Sequence, residues 1–330
     1  MSFGSILPYA CGSFFTGIAL ISAGLLSGSA ERVLDRPNHR SMHSTPTPRI
    51  GGVCMMIAAL GWTLIGEVRP ILPIIYLTGL LTLVAFVDDV RGLPIWVRGI
   101  IQAALAILLV CFYPASPFLN LVVVVTVIWV TNLYNFMDGI DGLAGGMTAI
   151  GFGFLSVAAA SSSNLAMMTI SICVSSASFG FMLFNFPPAK VFMGDAGAIP
   201  CGFLAAALGY YGYYCAAWPL WVPFFIFSPF LYDATTTLLR RLLRRENIWQ
   251  AHRGHLYQRM ALKLGHKGTT LSWYGVMLCT GACALYSQNL EFSAAVICGL
   301  GVALFLASLA LVAGKFISMT QRDHTKIEKH

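Results

Sequence analysis

Apolar residues run in long blocks separated by short polar segments along the whole chain. Blocks approaching the roughly 20 residues that cross a bilayer occupy about 4–26, 51–66, 70–87, 95–113, 117–134, 143–160, 164–184, 197–215, 218–239, 271–287 and 292–314. A backbone in lipid must satisfy its own hydrogen bonds, so these blocks predict helices. The fold class that follows is an all-α integral membrane protein, a bundle of about 11 transmembrane helices. The first block lacks the basic leader of a secretory signal and exceeds the length of its apolar region, so it reads as a retained helix. No fixed-period repeat, soluble segment, long linker or low-complexity tract interrupts the pattern, and 1–330 reads as a single multi-spanning domain.

The polar segments are strongly asymmetric in charge. Segments 27–50, 88–98, 185–196, 240–270 and 315–330 hold 19 of the 20 Lys and Arg residues, leaving Arg69 on the opposite side. Basic loops stay in the cytoplasm during insertion, which predicts an external amino terminus and a cytoplasmic carboxyl terminus. Composition agrees: 57% of residues are hydrophobic and 10% charged, against about 25% charged in soluble domains. The net charge of +7 then belongs to one face that meets anionic lipid and anionic substrates. No aromatic and basic motif for nucleic acid is present. Nine cysteines lie mostly within apolar blocks without a CxxC pair, as fillers of helix packing. Arg240, Arg241, Arg244 and Arg245, interleaved with leucines, predict a helix with one basic face, an interfacial anchor to acidic headgroups.

An Asp at a helix centre costs roughly 2.5–3.5 kcal/mol on insertion, so the positions of the acids carry information. Asp88 and Asp89 end the third block, Asp138 and Asp141 follow the fifth, Asp195 follows the seventh and Asp233 lies in the last turns of the ninth. All fall on the cytoplasmic side, which predicts an active site on that face with carboxylates converging on a shared cation. Magnesium suits such oxygen ligands and keeps phosphate oxygens and waters as further partners, with manganese as a substitute. Between these acids, Asn132, Asn135, Asp138 and Asp141 recur at three-residue spacing, and glycines at 139, 142, 145 and 146 allow close backbone approach to a ligand. The alternating acids and terminal Glu of a calcium EF-hand are absent, and so is the Arg of the alcohol phosphatidyltransferase signature.

Five motifs stand in order between residues 31 and 260: Asp35-Arg-Pro-Asn38-His-Arg40-Ser-Met-His43 with Thr45-Pro-Thr-Pro-Arg-Ile-Gly-Gly52; Asp88-Asp89; Asn135-Phe-Met-Asp138-Gly-Ile-Asp141-Gly-Leu; Val191-Phe-Met-Gly-Asp195-Ala-Gly; and His252-Arg-Gly-His255-Leu-Tyr-Gln-Arg259. Together they resemble the polyprenyl-phosphate N-acetylhexosamine-1-phosphate transferases, glycosyl transferase family 4. Within that family the peptidoglycan translocase lacks the Asp-x-Pro-Asn-x-Arg opening and carries a histidine run where this chain has His252 and His255. The O-antigen initiators are more similar.

The resemblance implies transfer of N-acetylhexosamine 1-phosphate from a UDP-sugar to undecaprenyl phosphate in a bacterial inner membrane, by an enzyme of homodimeric habit surrounded by membrane lipid. It implies Asp195 as magnesium ligand, Asp88 or Asp89 assisting the metal or taking a proton from the lipid phosphate, and Asn135 supporting metal or nucleotide. Adjacent residues on a helix differ by about 100°, so Asp88 and Asp89 are expected to divide their roles. It further implies that Asp138, Gly139, Asp141 and Phe192 hold uridine, while Asn132, on the same helical face by its spacing, is a substrate-binding candidate. His252, Arg253, His255, Arg259 and Lys190 would meet the diphosphate and sugar, and Asn38, Arg40 and His43 would close over the donor. The peptidoglycan enzyme is the alternative within the family. A transporter is the rival from another class, but transporters place their polar groups near the bilayer midplane, whereas here they gather at one face.

Overall fold

The fold was analysed in a computed structural model, which describes residues 6–37, 42, 45–246 and 253–327, with side chains as far as 315. Eleven α-helices lie within these residues: α1 (Leu7–Leu26), α2 (Gly51–Leu64), α3 (Leu72–Arg91), α4 (Ile95–Phe112), α5 (Pro117–Phe136), α6 (Leu143–Ser161), α7 (Leu165–Asn185), α8 (Asp195–Tyr214), α9 (Trp221–Leu243), α10 (Leu256–Ser287) and α11 (Phe292–Ile327). A two-residue antiparallel ladder, β1 (Leu34–Asp35) with β2 (Thr47–Pro48), closes the first loop.

Each apolar block becomes one helix, and eight of them are long and apolar enough to cross a membrane. At 14 residues α2 is short for a span, since 1.5 Å per residue gives only about 21 Å. The tenth helix departs furthest from the sequence pattern. It begins at Leu256, fifteen residues before the apolar block, and bends at Gly265, whose φ of 68° breaks the helical path. Its first turns are held by a capping box between His255 and Gln258, and by Asp233 of α9, which accepts the N–H groups of Leu256 and Tyr257 at 2.8 and 2.9 Å. Side-chain capping of this kind satisfies the N–H groups that open the helix, while Tyr257 and Ala261 bury against the bundle. The basic stretch divides: Arg240 and Arg241 form the last turn of α9, where cations suit the helix dipole, and Arg245 has left the helix with φ 56°.

The bundle is built around α6, α7 and α8, whose small residues let backbones approach closely. Ser175 and Ser178 of α7 donate to the carbonyls of Ala149 and Gly145 in α6, both at 2.7 Å, the interhelical bonds expected where lipid offers no hydrophobic drive. Large apolar side chains such as Ile100, Ile107, Leu121, Leu304 and Leu311 face outward from α4, α5 and α11, as lipid contact requires. All nine cysteines are free.

Candidate active site

The loop after β2 and the segment before α8 are joined by backbone hydrogen bonds. Phe192 N–H donates to Pro48 O at 2.8 Å, while Gly51 and Gly52 N–H donate to the carbonyls of Phe192 and Met193 at 3.0 and 2.9 Å. A Cβ on Gly52 would overlap Gly197 and the Met193 carbonyl, so this joint between α2 and α8 requires glycine. Gly194 then turns with φ 71°, and α8 begins at Asp195. The consequence is a fixed direction for the first turn of α8 toward the end of α3.

There, Asp88 and Asp89 point different ways. Asp89, its side chain 1% exposed, accepts the N–H groups of Asp195 and Ala196 at 3.1 and 2.9 Å and so caps α8. Asp88 accepts from Leu93 N–H and from Arg98 Nη1, the latter at 2.8 Å. The same Arg98 nitrogen lies 3.0 Å from Asp195 Oδ2, so one guanidinium of α4 bridges the carboxylates of α3 and α8. Arg98 carries no motif signature beyond its place ten residues after Asp88. Arg49 forms a 2.8 Å ion pair with Asp35 across the β-ladder and reaches Asp89 at 4.0 Å.

The cleft beside this cluster, about 890 Å³, is lined by Asn135, Asp138, Gly139, Ile140 and Asp141 from the turn after α5, by Phe192, Gly194 and Asp195, by Asp35, Met42 and Arg49 from the first loop, and by Asn185, Gln258 and His266. The turn is held from below by α10. Tyr257 hydroxyl donates to Phe136 O at 3.0 Å, Thr270 to Asp141 O at 2.8 Å and Tyr274 to Gly142 O at 2.7 Å. Asn185 accepts Gly142 N–H and donates to Val191 O, tying the turn to the Asp195 segment. Burial, with Asp195 adding and Arg49 opposing, pushes the Asp138 carboxyl up to about 7.

Of the residues singled out from sequence, Asn135, Asp138, Gly139, Asp141, Phe192 and Asp195 meet in this cleft, with Asp88 and Asp89 at its edge through Arg98 and the α8 cap. Asn132 is turned toward α4, donating to Gln102 Oε1 at 2.7 Å. Lys190 and Arg253 are exposed, and neither they nor the half-buried Arg259 line the cleft. His255 is buried beneath it, its ring stacked on Tyr257 with Nδ1 3.8 Å from Asp233. Asn38, Arg40, His43 and His252 lie outside the described residues. Asp233 does not join the other acids: its carboxylate serves the α10 N-terminus, which corrects the expectation of six aspartates around one ion. Arg49, Arg98, Gln258 and His266 were not foreseen as site residues. Arg49 and Gln258, each inside a quoted motif, carried a signal in the sequence; Arg98 and His266 did not.

Residues 71–213 match the model of glycosyl transferase family 4. A probable undecaprenyl-phosphate N-acetylglucosaminyl 1-phosphate transferase of Bacillus subtilis is 28% identical over 283 residues, 79% of this chain and 79% of that protein. This chain is similar to glycosyl transferase family 4 over that stretch and to this transferase over most of its length. A decaprenyl-phosphate N-acetylglucosaminephosphotransferase of Mycobacterium tuberculosis is also similar, 27% identical over 334 residues, 83% of this chain and 80% of the relative. A phospho-N-acetylmuramoyl-pentapeptide-transferase of Gloeothece citriformis is 30% identical over 236 residues, 62% of this chain and 63% of its own length. These likenesses together with the eight long apolar helices make the protein a multi-pass membrane enzyme.

Among the described residues no three His, Cys, Asp or Glu side chains are already set as a ligand group. The donor set nonetheless fits a hard cation. Arg98 Nη1 marks a point where one positive centre lies between two carboxylates. Asp88 and Asp195 share Arg98, Asp89 and Asp138 lie toward Arg49, and burial with the neighbouring Asp195 pushes the Asp138 carboxyl up, a repulsion that a bound cation relieves. Magnesium requires only one or two carboxylates where phosphates complete its shell.

Proposed function

We propose that the enzyme transfers N-acetylhexosamine 1-phosphate from a UDP-sugar to polyprenyl phosphate, undecaprenyl phosphate in bacteria, releasing UMP. The observation that carries this reading is the meeting of Asp138, Asp195 and Arg49 on one polar cleft at one end of an apolar bundle, with Asp88 joined to Asp195 at its edge through Arg98. Such a site suits a soluble anionic donor meeting an acceptor held in lipid. An oxygen of the lipid phosphate attacks the sugar-bearing phosphorus; the new P–O bond forms as the bond to the UMP oxygen breaks, and the electron pair leaves with UMP. Phosphoryl transfer of this kind depends on positioning and charge neutralisation.

Arg98 and Arg49 are placed to neutralise phosphate oxygens, Asp89 fixes the start of α8, and Phe192 and the 138–141 turn offer a ring face and polar groups to uridine. Asp195 and Asp88, with Asn135 or Asp138, would hold Mg2+, which supplies charge stabilisation to the diphosphate when bound. The concentration of Lys and Arg in alternate loops supports a reading in which this end of the bundle faces the cytoplasm at the inner membrane, with the amino terminus outside and the carboxyl terminus inside. N-acetylglucosamine relatives align with about four-fifths of this chain, and the motif pattern favours a role in initiating O-antigen or related envelope polysaccharides.

The test incubates purified protein with undecaprenyl phosphate, Mg2+ and a panel of UDP-N-acetylhexosamines, following UMP release and lipid-linked product. Product dependent on both substrates, abolished by EDTA and restored by Mg2+, is expected. Absence of turnover across the panel, with the protein folded, overturns the reading.

A further inference from the structure

His266 is the one histidine among the described residues that lines the cleft, and no motif contains it. It stands immediately after the break at Gly265 and opens the second limb of α10. With Thr270 and Tyr274 it forms an i, i+4, i+8 stripe, and all three side chains engage the same turn: Nδ1 of His266 lies 3.2 Å from Asp141 Oδ1, Thr270 donates to Asp141 O and Tyr274 to Gly142 O. The two hydroxyls already brace the backbone of that turn. The histidine is spent differently, on a carboxylate that also accepts Ala189 N–H at 3.0 Å, and its side chain stays 20% exposed to the cleft.

A carboxylate on Nδ1 fixes the tautomer with hydrogen on that nitrogen and leaves Nε2 as an acceptor. The cations Arg49 and Arg98 sit at the Asp195 end, suited to phosphates, whereas His266 stands at the 138–141 turn, engaged with the Asp141 carboxylate. Phe192, with a ring to stack on, and Gln258, with amide donors, line the same cleft. Uracil presents a flat face, two carbonyl acceptors and one ring N–H. We propose that His266, oriented by Asp141, is a specificity residue that accepts the N3–H of the donor's uracil through Nε2; this rests on the donor being a uridine nucleotide, as proposed above.

The experiment uses the full-length wild type and His266→Ala, each assayed with UDP-N-acetylglucosamine and inhibited by UMP or by N3-methyl-UMP, which lacks the ring N–H. In the wild type, N3-methylation should weaken inhibition about tenfold, the scale of one lost hydrogen bond with its partner left unpaired. In His266→Ala, UMP should bind about tenfold more weakly and the methyl penalty should collapse toward unity, with the donor KM raised more than kcat is lowered. His266→Gln, whose carbonyl oxygen can accept N3–H, should restore part of the discrimination, and it carries the test if the alanine variant does not fold. An unchanged methyl penalty in both variants overturns the proposal. So does a variant with altered donor KM but unaltered UMP inhibition, which would move His266 to the sugar. A wild type that neither turns over UDP-sugars nor binds UMP would overturn the function itself, a separate failure.

Discussion

Asp89→Asn separates a helix-capping carboxylate from a metal ligand. Both Asp89 oxygens are committed to backbone N–H groups, at 3.1 Å from Asp195 and 2.9 Å from Ala196, and the side chain is 1% exposed. Asparagine keeps one acceptor oxygen but sets its amide nitrogen against the other N–H. A buried hydrogen bond to a charged group contributes about 1.5–3 kcal/mol, so loss of one bond together with the carboxylate's attraction for the helix end is worth about 2 kcal/mol. If that displacement is felt at the first residue of α8, where Asp195 stands, turnover falls by about 30-fold. The Mg2+ concentration giving half-maximal activity should shift by less than about threefold, because the capping oxygens are not offered to the ion. Asp195→Asn, by contrast, should nearly abolish turnover and raise the Mg2+ requirement of whatever activity remains. The assay is UMP release against Mg2+ concentration for wild type and both variants, with thermal unfolding in detergent as the folding control. A Mg2+ shift of tenfold or more in Asp89→Asn would refute the capping assignment.

Three further outcomes follow from the same geometry. Arg98→Gln leaves Asp88 and Asp195 without their shared cation and should lower kcat/KM by about 100-fold, Arg98→Lys by less; a Gln variant within threefold of wild type would remove Arg98 from the site. Asp233→Asn weakens the cap of α10 and should lower the thermal transition by about 5 °C without altering the Mg2+ requirement; an altered Mg2+ requirement would return Asp233 to the metal cluster. Lys190→Ala, at an exposed position off the cleft, should change the donor KM by less than about twofold, measured under the same conditions.

The helices were legible in the sequence because lipid imposes one demand on every spanning segment, an unbroken apolar run whose backbone satisfies itself. That demand fails for α10, where the limb from Leu256 to Leu264, interrupted by Gln258, Arg259 and Lys263, is fixed by its cap on Asp233, a residue 23 positions earlier that no local pattern connects to it. The acids were legible as a group because charge near a membrane is costly and therefore conspicuous. Their individual roles were not. Asp88 and Asp89 are indistinguishable in composition, and which one caps α8 depends on where the segment after Gly194 brings that helix end.

By itself the sequence determined that the chain is a bundle of apolar helices with its carboxylates and basic residues gathered at one end, and its ordered motifs pointed to the transferase family. Only the tertiary structure decided which side chains meet. It placed one nitrogen of Arg98 between Asp88 and Asp195, turned Asn132 toward α4 and His255 beneath the cleft, and brought His266 to Asp141. Hydropathy is a property of each segment and survives in one dimension. The pairing of charges separated by a hundred residues depends on helix contacts such as Gly52 against Gly197, which fix rotation and height within the bundle.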